Sequence, residues 1–301
     1  MDFYGIYTPV ITPYHDDYSI DEPSFDAMLE KLIADGVHGI IIAGTTGEYY
    51  AQTLEERVQL LRRGCEVVGG RLPVIGGTGA MRTEDAVYLA EQARDAGVDA
   101  ILIATPPYSV PTGRENALHA IKVERAAGLP VMLYNYPGRM AAEMDEDFLD
   151  RVGQSPNFKA IKESSGDINR VHLLARRYPH IALSCGMDDQ ALEFFAWGAR
   201  SWVCAASNFA ARAHIALWQA CVVDGDFNKG RRIMTAMLPL MQELEQGGKF
   251  IQSIKHGVTL SGQTAGIPRL PLKPLNKDEK RALEQVITTM NTTIDTIERG
   301  L

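Results

Sequence analysis

Short apolar runs alternate with longer segments of helical periodicity along most of the chain. The runs are rich in β-branched residues, as buried parallel strands are, and they lie near residues 5–10, 38–43, 73–77, 99–104, 130–134, 158–162, 181–185 and 200–205. Strands that alternate with helices predict βα units and a parallel sheet. Because each of these eight strands is followed by a helix, we expect an α/β fold, a closed (β/α)8 TIM barrel, with an open doubly wound sheet as the alternative.

The ends of the predicted helices carry recognisable local signals. Several helices end in a small residue followed by a glycine, which takes the left-handed backbone conformation that closes a helix; these glycines are Gly36, Gly97, Gly128 and Gly198. The second helix is predicted to begin at Thr53, with Glu56 three residues later. That spacing is typical of a capping box.

The strand pattern stops near residue 224. Helices are predicted beyond it over 226–246, 249–262 and 277–299, and three prolines between 268 and 274 interrupt the chain before the last one. We therefore expect a catalytic barrel over residues 1–224. A C-terminal helical region over residues 225–301 is expected to pack on it.

Composition narrows the class of protein. Of the 301 residues, 46% are hydrophobic and 23% are charged, which is typical of a folded globular chain. The net charge of −8 and the lack of a basic stripe argue against a nucleic-acid binder. The cysteines lack CxxC spacing, so no metal site is expected. No apolar run reaches about 18 residues and the N-terminus has no signal-peptide pattern, so we expect no membrane association and a cytoplasmic location.

The active site of a parallel barrel lies at the carboxyl ends of its strands, so the polar residues there are the candidates. Strand 2 is followed by residues 44–48, Gly-Thr-Thr-Gly-Glu. Backbone N–H groups and hydroxyls in such a turn bind anions; a tight structural turn is the alternative. Strand 4 is followed by Tyr108, and strand 5 runs into residues 134–139, Tyr-Asn-Tyr-Pro-Gly-Arg.

Strand 6 ends at Lys162. With a period of two, Lys162 is expected to share a face with Ala160 and Phe158, while Lys159 points the other way. A lysine in the apolar mouth of a barrel loses hydration, which lowers its pKa and frees the amine as a nucleophile. A solvated lysine at the end of a strand is the alternative.

Taken together, these segments resemble one family. Residues 44–48, 134–139 and 161–167, with 186–189 after strand 7, are similar in order and spacing to motifs of the dihydrodipicolinate synthase / N-acetylneuraminate lyase family of class I lyases. The resemblance covers nearly the whole chain. It implies a barrel with helical C-terminus, a homotetramer built as a dimer of dimers, and a lyase that forms a Schiff base with pyruvate or another small 2-oxo acid without any cofactor.

The resemblance also implies roles by position. Lys162 would form the imine, Tyr134 would move protons, and Thr45 would link Tyr134 to Tyr108, which in relatives reaches the site of a neighbouring subunit. Thr45 and Thr46 would hold the carboxylate of the 2-oxo acid. Further substrate-binding positions are predicted at Arg139, Gly186 and Val203.

Departures from the family pattern leave the reaction open. Arg139 matches the synthase branch and disfavours cleavage of N-acetylneuraminate. Tyr49 and Tyr50 stand where synthases carry a small residue, and Pro107 and Ser109 replace a common tyrosine and asparagine. Besides a 4-hydroxy-tetrahydrodipicolinate synthase type, we therefore keep a catabolic 2-oxo-3-deoxy sugar acid aldolase or dehydratase and a hydroxypyrroline-carboxylate deaminase as alternatives.

Two other classes of barrel protein fit the residues less well. A catalytically inactive binding protein is disfavoured by the presence of both Lys162 and Tyr134. A phosphate-sugar isomerase would need a glycine-rich loop after strands 7 and 8, and residues 204–210 are poor in glycine. Some synthases of the family are inhibited by lysine and carry polar residues that bind it. At the corresponding positions this chain has Leu54, Arg57 and Met81. We therefore hypothesise that lysine does not inhibit it, which a lysine titration tests.

Overall fold

The computed structural model describes residues 1–299 and places eight parallel strands in one closed barrel, in the order in which they occur along the chain. The strands are β1 Gly5–Pro9, β2 Gly39–Ile42, β3 Val74–Gly77, β4 Ala100–Ala104, β5 Val131–Asn135, β6 Phe158–Glu163, β7 Ala182–Cys185 and β8 Ser201–Val203. β8 pairs with β1, which closes the barrel. The predicted TIM barrel is confirmed, and the open sheet is excluded.

Helices connect the strands and surround the barrel. In chain order they are α1 Glu22–Ala34, α2 Leu54–Val68, α3 Thr83–Ala96, α4 Gly113–Ala127, α5 Pro137–Met140, α6 Glu146–Val152, α7 Ile168–Arg177, α8 Ala191–Ala196 and α9 Ser207–Trp218. The predicted capping box at the start of α2 is present, since the Thr53 hydroxyl accepts from the Glu56 N–H and the Glu56 carboxylate accepts from the Thr53 N–H. Gly97 and Gly128 cap α3 and α4 with φ of +87° and +64°.

The predicted C-terminal helices are also present, as α10 Phe227–Gln246, α11 Phe250–Leu260 and α12 Lys277–Glu298. Helices α10 and α11 pack on α9, and α12 packs on both of them. The division of the chain at residue 224 stays a prediction. None of the helices in the described part of the chain has the length and apolarity to cross a bilayer.

Two apolar layers hold the barrel together. Alternate strand residues point outward into a large layer beneath the helices, and the others fill the barrel interior; the interior set includes Tyr7, Ile41, Ile75, Leu102, Met132, Tyr134, Ala160 and Val203. Parallel strands buried on both faces in this way explain why the predicted strands were almost continuously apolar.

One side chain of β6 points opposite to its predicted direction. Ala160 lies inside the barrel below Lys162, and Lys159 is exposed, both as expected. Phe158, however, belongs to the outer layer. The pairing with β5 shifts register at this point, so that Val131 faces Phe158 and Met132 faces Ala160, with Lys159 as the extra residue. Such a bulge reverses the alternation of faces, and a strict period of two is wrong there.

Candidate active site

The carboxyl ends of the strands surround a small cavity of about 40 Å³, several times the volume that one water molecule requires. Its walls come from strands, from the loops after them and from the C-terminal helices. The lining residues are Pro9, Ile41, Gly44, Thr45, Thr46, Leu102, Tyr134, Tyr136, Arg139, Lys162, Gly186, Met187, Asp188, Val203, Ala205, Glu245 and Phe250.

Lys162 and Tyr134 are adjacent in this cavity. They are register partners on β6 and β5, so their side chains project from the same face of neighbouring strands. The Lys162 Nζ lies 4.1 Å from the centre of the Tyr134 ring. Their juxtaposition follows directly from the pairing of the two strands.

The surroundings of Lys162 make its amine a better nucleophile. Burial lowers the pKa of Lys162, while the carboxylates of Asp188 and Glu245 oppose that effect. A lowered pKa increases the fraction of neutral amine at a given pH, and the neutral amine is the nucleophile.

Tyr134 shows the opposite shift. Burial raises its pKa above the usual 10.0, and Arg139 and the Thr45 side chain act against that rise. The phenol is therefore protonated at neutral pH and can donate its proton. The Thr45 hydroxyl is buried next to it, although none of its contacts within residues 1–299 has full hydrogen-bond geometry.

Thr45 and Thr46 reach the cavity because the chain turns sharply after β2. Residues Thr45–Gly47 form one 3-10 turn, and Glu48 follows with φ of +61°. The Glu48 side chain is fully buried and pairs with Lys255 of α11 at 2.9 Å. The same ammonium donates to the carbonyl oxygens of Thr12 and Ile267. A buried ion pair thus joins the turn to α11.

The structure brings together most of the predicted site residues, namely Thr45, Thr46, Tyr134, Arg139, Lys162, Gly186 and Val203. Gly186 lies where any side chain would collide with Lys162. Tyr108 is different, because it lies in the loop after β4, is 90% exposed and does not line the cavity of its own chain. Its role at a neighbouring subunit stays a prediction.

Arg57 has an internal role in this chain. It is buried on α2, its guanidinium donates to the carbonyl oxygens of Gly77 and Gly79, and it lies 4.9 Å from the centre of the Tyr49 ring. Two of its terminal nitrogens are therefore used within the chain, while its buried Nε has no hydrogen-bond partner among the described residues. The absence of lysine inhibition stays a hypothesis.

The cavity-lining residues that were assigned no role from the sequence include two aromatic residues and two acids, namely Tyr136, Phe250, Asp188 and Glu245. Asp188 follows β7 and accepts a hydrogen bond from the Trp202 indole at 2.8 Å. Burial raises its pKa to about 7, and the nearby Glu245 adds to the rise. Its position in the motif at 186–189 could have identified Asp188, whereas nothing in the sequence pattern marked Glu245.

Comparison with known proteins agrees with this geometry. The model of the dihydrodipicolinate synthetase family matches residues 2–290. The chain belongs to this family. It is 32% identical over 291 residues to the 4-hydroxy-tetrahydrodipicolinate synthase of Bacillus velezensis, covering 96% of this chain and 100% of that one. It is 36% identical over 276 residues to the enzyme of the same name from Ralstonia nicotianae, covering 90% and 92%.

Solved structures of the family have the same fold. The 4-hydroxy-tetrahydrodipicolinate synthase of Methylacidiphilum fumariolicum SolV superposes with a TM-score of 0.94 at 29% identity, covering 99% of each chain. The predicted family, its barrel fold and the enzyme class, a lyase, are confirmed.

Proposed function

We propose that the protein is a Schiff-base lyase of the synthase type, in which Lys162 forms an imine with pyruvate and the resulting enamine reacts with a second substrate. The observation that carries the proposal is the position of the Lys162 amine, 4.1 Å from the Tyr134 ring in a small cavity. The names of the relatives from Bacillus velezensis and Ralstonia nicotianae support the synthase type over the other reactions of the family.

The first bond formed joins Lys162 to the substrate. The neutral amine attacks C2 of pyruvate, and the ketone oxygen takes the Tyr134 proton to give a carbinolamine. The Tyr134 phenolate takes a proton from the carbinolamine nitrogen and passes it to the hydroxyl, which leaves as water. The product is a protonated imine. The carboxylate of pyruvate is held by Thr45 and Thr46, which line the same cavity.

The imine then allows carbon chemistry at C3. Its positive nitrogen accepts the electron pair of the C3–H bond when that proton is removed, which gives an enamine. The enamine carbon attacks the aldehyde carbon of the second substrate, which restores the protonated imine on Lys162, and the aldehyde oxygen takes up a proton in place of the one released from C3. Loss of the imine by attack of water or of an amine on C2 releases the product and regenerates Lys162.

The same imine can work in the cleavage direction. A catabolic aldolase for a 2-oxo-3-deoxy sugar acid remains the second candidate, because Tyr50, a departure from the synthase pattern, lines a larger cavity of about 440 Å³ outside the first one. An enlarged aromatic wall there alters the site that a second substrate enters.

Trapping of the imine tests the proposal. The protein is incubated with pyruvate and borohydride, and the adduct is located by intact mass and peptide mapping, with Lys162→Ala as the control. We expect one reduced adduct on Lys162 in the wild type and none in the variant. A folded wild-type protein that gives no adduct, or an adduct on another lysine, would refute the mechanism.

We also propose that the active form is a homotetramer in which Tyr108 acts across a subunit boundary. The exposure of Tyr108 and of Val110 in the same loop supports an interface there. Mixing Tyr108→Phe subunits with Lys162→Ala subunits tests it: a tyrosine acting across the boundary restores activity in mixed oligomers, and one acting within its own subunit does not. The four unpaired thiols support a cytoplasmic location.

A further inference from the structure

The small cavity adjoins the larger one, and the residues that border both cavities are called the neck. The inner cavity contains Lys162 and Tyr134, and the outer one is bounded by residues such as Tyr50 and Leu272. Four residues line both cavities and therefore form the neck: Tyr136, Arg139, Glu245 and Phe250. A second substrate that enters from the larger cavity would contact these side chains.

Glu245 is the acidic member of the neck. It lies near the end of α10 and is half-buried. Within residues 1–299 its carboxylate forms no hydrogen bond and no ion pair within 4.0 Å. Burial raises its pKa and the negative charge of Asp189 adds to the rise, while the positive charges of Lys162 and Arg139 oppose it. A half-buried carboxylate without a hydrogen-bond donor or a positive charge beside it is unfavourable, unless a bound ligand supplies that group.

Arg139 is the basic member, and its side chain is exposed. Its guanidinium lies over the rings of Tyr136 and Phe250 at 5.4 and 6.0 Å, yet it forms no ion pair with a carboxylate of the described chain. Two opposite charges thus border one neck without bonding to each other. That arrangement fits a ligand that carries a carboxylate at one end and a hydrogen-bond donor at the other.

We propose that Glu245 is a specificity-determining residue for the second substrate. Its carboxylate accepts a hydrogen bond from an ammonium or hydroxyl group on the aldehyde, close to the carbon that the enamine attacks. It also repels a carboxylate presented at that end, so that the charged aldehyde enters in one orientation. This inference rests on the proposed function, because it presupposes the enamine on Lys162.

Steady-state kinetics of three variants test the assignment. Glu245→Gln keeps the shape and an acceptor oxygen but removes the charge, and Glu245→Leu removes both. Glu243→Gln is the matched control, because Glu243 is exposed on the same helix and lines neither cavity. Each is assayed with pyruvate and either aspartate 4-semialdehyde, which carries an ammonium, or D-glyceraldehyde, which carries hydroxyls.

The two sources of the donor give different patterns. If Glu245 binds an ammonium, Glu245→Gln raises the KM for the semialdehyde by about 10- to 100-fold, which is the effect of losing a hydrogen bond to a charged group. If it binds a hydroxyl, the KM of Glu245→Gln for glyceraldehyde stays within about threefold of the wild-type value, and only Glu245→Leu raises that KM, by about 10-fold. In both cases the KM for pyruvate changes much less than the KM for the aldehyde.

Three results would overturn the inference. The first is an aldehyde KM within twofold of wild type in both Glu245 variants, and the second is an equal effect of Glu243→Gln. The third is failure of the wild type to turn over either aldehyde although pyruvate is trapped on Lys162. The absence of trapping with pyruvate is a separate result, since it refutes the Schiff-base mechanism itself rather than the role of Glu245.

Discussion

Replacement of Gly186 by alanine should displace the lysine that forms the imine. Gly186 follows β7, and its N–H donates to the Glu163 carbonyl oxygen of β6 at 3.0 Å. A β-carbon at position 186 would lie 2.2 Å from the Ser164 Oγ, 2.6 Å from the Lys162 Cγ and 2.9 Å from the Glu163 carbonyl oxygen. The neighbours include backbone, so the added methyl group cannot be accommodated by one flexible side chain.

The size of the effect follows from these distances. Carbon atoms pack at about 3.5–4.0 Å, so the Lys162 stem has to move by roughly 1 Å. A misplacement of roughly 1 Å costs about 100-fold in rate, and overpacking of a rigid site costs about 1–3 kcal/mol of stability. We therefore expect Gly186→Ala to lower kcat/KM by about 100-fold while the protein still folds.

The assay combines activity with the rate of imine trapping. Because the chemistry of the lysine is unchanged, the adduct should form at the same residue but more slowly. Gly79→Ala is the matched control, since its β-carbon would lie no closer than 3.5 Å to the Tyr49 ring, an ordinary contact. Circular dichroism and thermal melting establish that both variants are folded at the assay temperature.

One result would refute the reasoning. If Gly186→Ala is folded and retains kcat/KM within threefold of wild type, the position of Lys162 does not depend on the absence of a side chain at residue 186. The glycine at position 186 would then need another explanation, such as direct approach of the substrate to the backbone.

Three further predictions concern the same site. Because burial lowers the pKa of Lys162 below 10.5, the rate of trapping with pyruvate should reach half its maximum below pH 10.5. A pH midpoint equal to that of a free lysine derivative would contradict the shift. Tyr134→Phe should lower kcat by about 100- to 10,000-fold and leave the variant able to bind pyruvate; a smaller loss would assign the proton transfers elsewhere. Lys255→Met leaves Glu48 buried without its ion pair, so the free energy of unfolding measured in urea should fall by about 3–5 kcal/mol. The control is Lys249→Met, which breaks the more exposed ion pair with Glu279 and should lower the free energy of unfolding by less than about 1 kcal/mol.

The barrel itself was predictable because two independent signals agreed. Strands buried on both faces are apolar throughout, and the glycines and the capping box at Thr53 mark where the helices between them end and begin. Lys162 was predictable for a related reason, since a lysine at the end of such a strand stands out against its apolar neighbours.

The remaining features depend on contacts that sequence periodicity does not contain. The orientation of Phe158 was predicted wrongly because a bulge, which arises from pairing between β5 and β6, reverses the alternation. Glu245 and Phe250 reach the cavity only through the packing of α10 and α11 on the barrel. On its own helix, a glutamate near the C-terminal end of α10 is indistinguishable from an exposed one.

The pairing of Glu48 with Lys255 has a consequence for the order in which the molecule becomes active. The turn that holds Thr45 and Thr46 is formed early in the chain, but its buried carboxylate is neutralised by a residue about 200 positions later. A growing chain that has completed all eight strands therefore still contains an uncompensated charge beneath its substrate-binding turn. The ability to bind a 2-oxo acid should therefore appear only after α11 has been synthesised and has packed on the barrel. Until then, the barrel should be inactive even though all its strands are present.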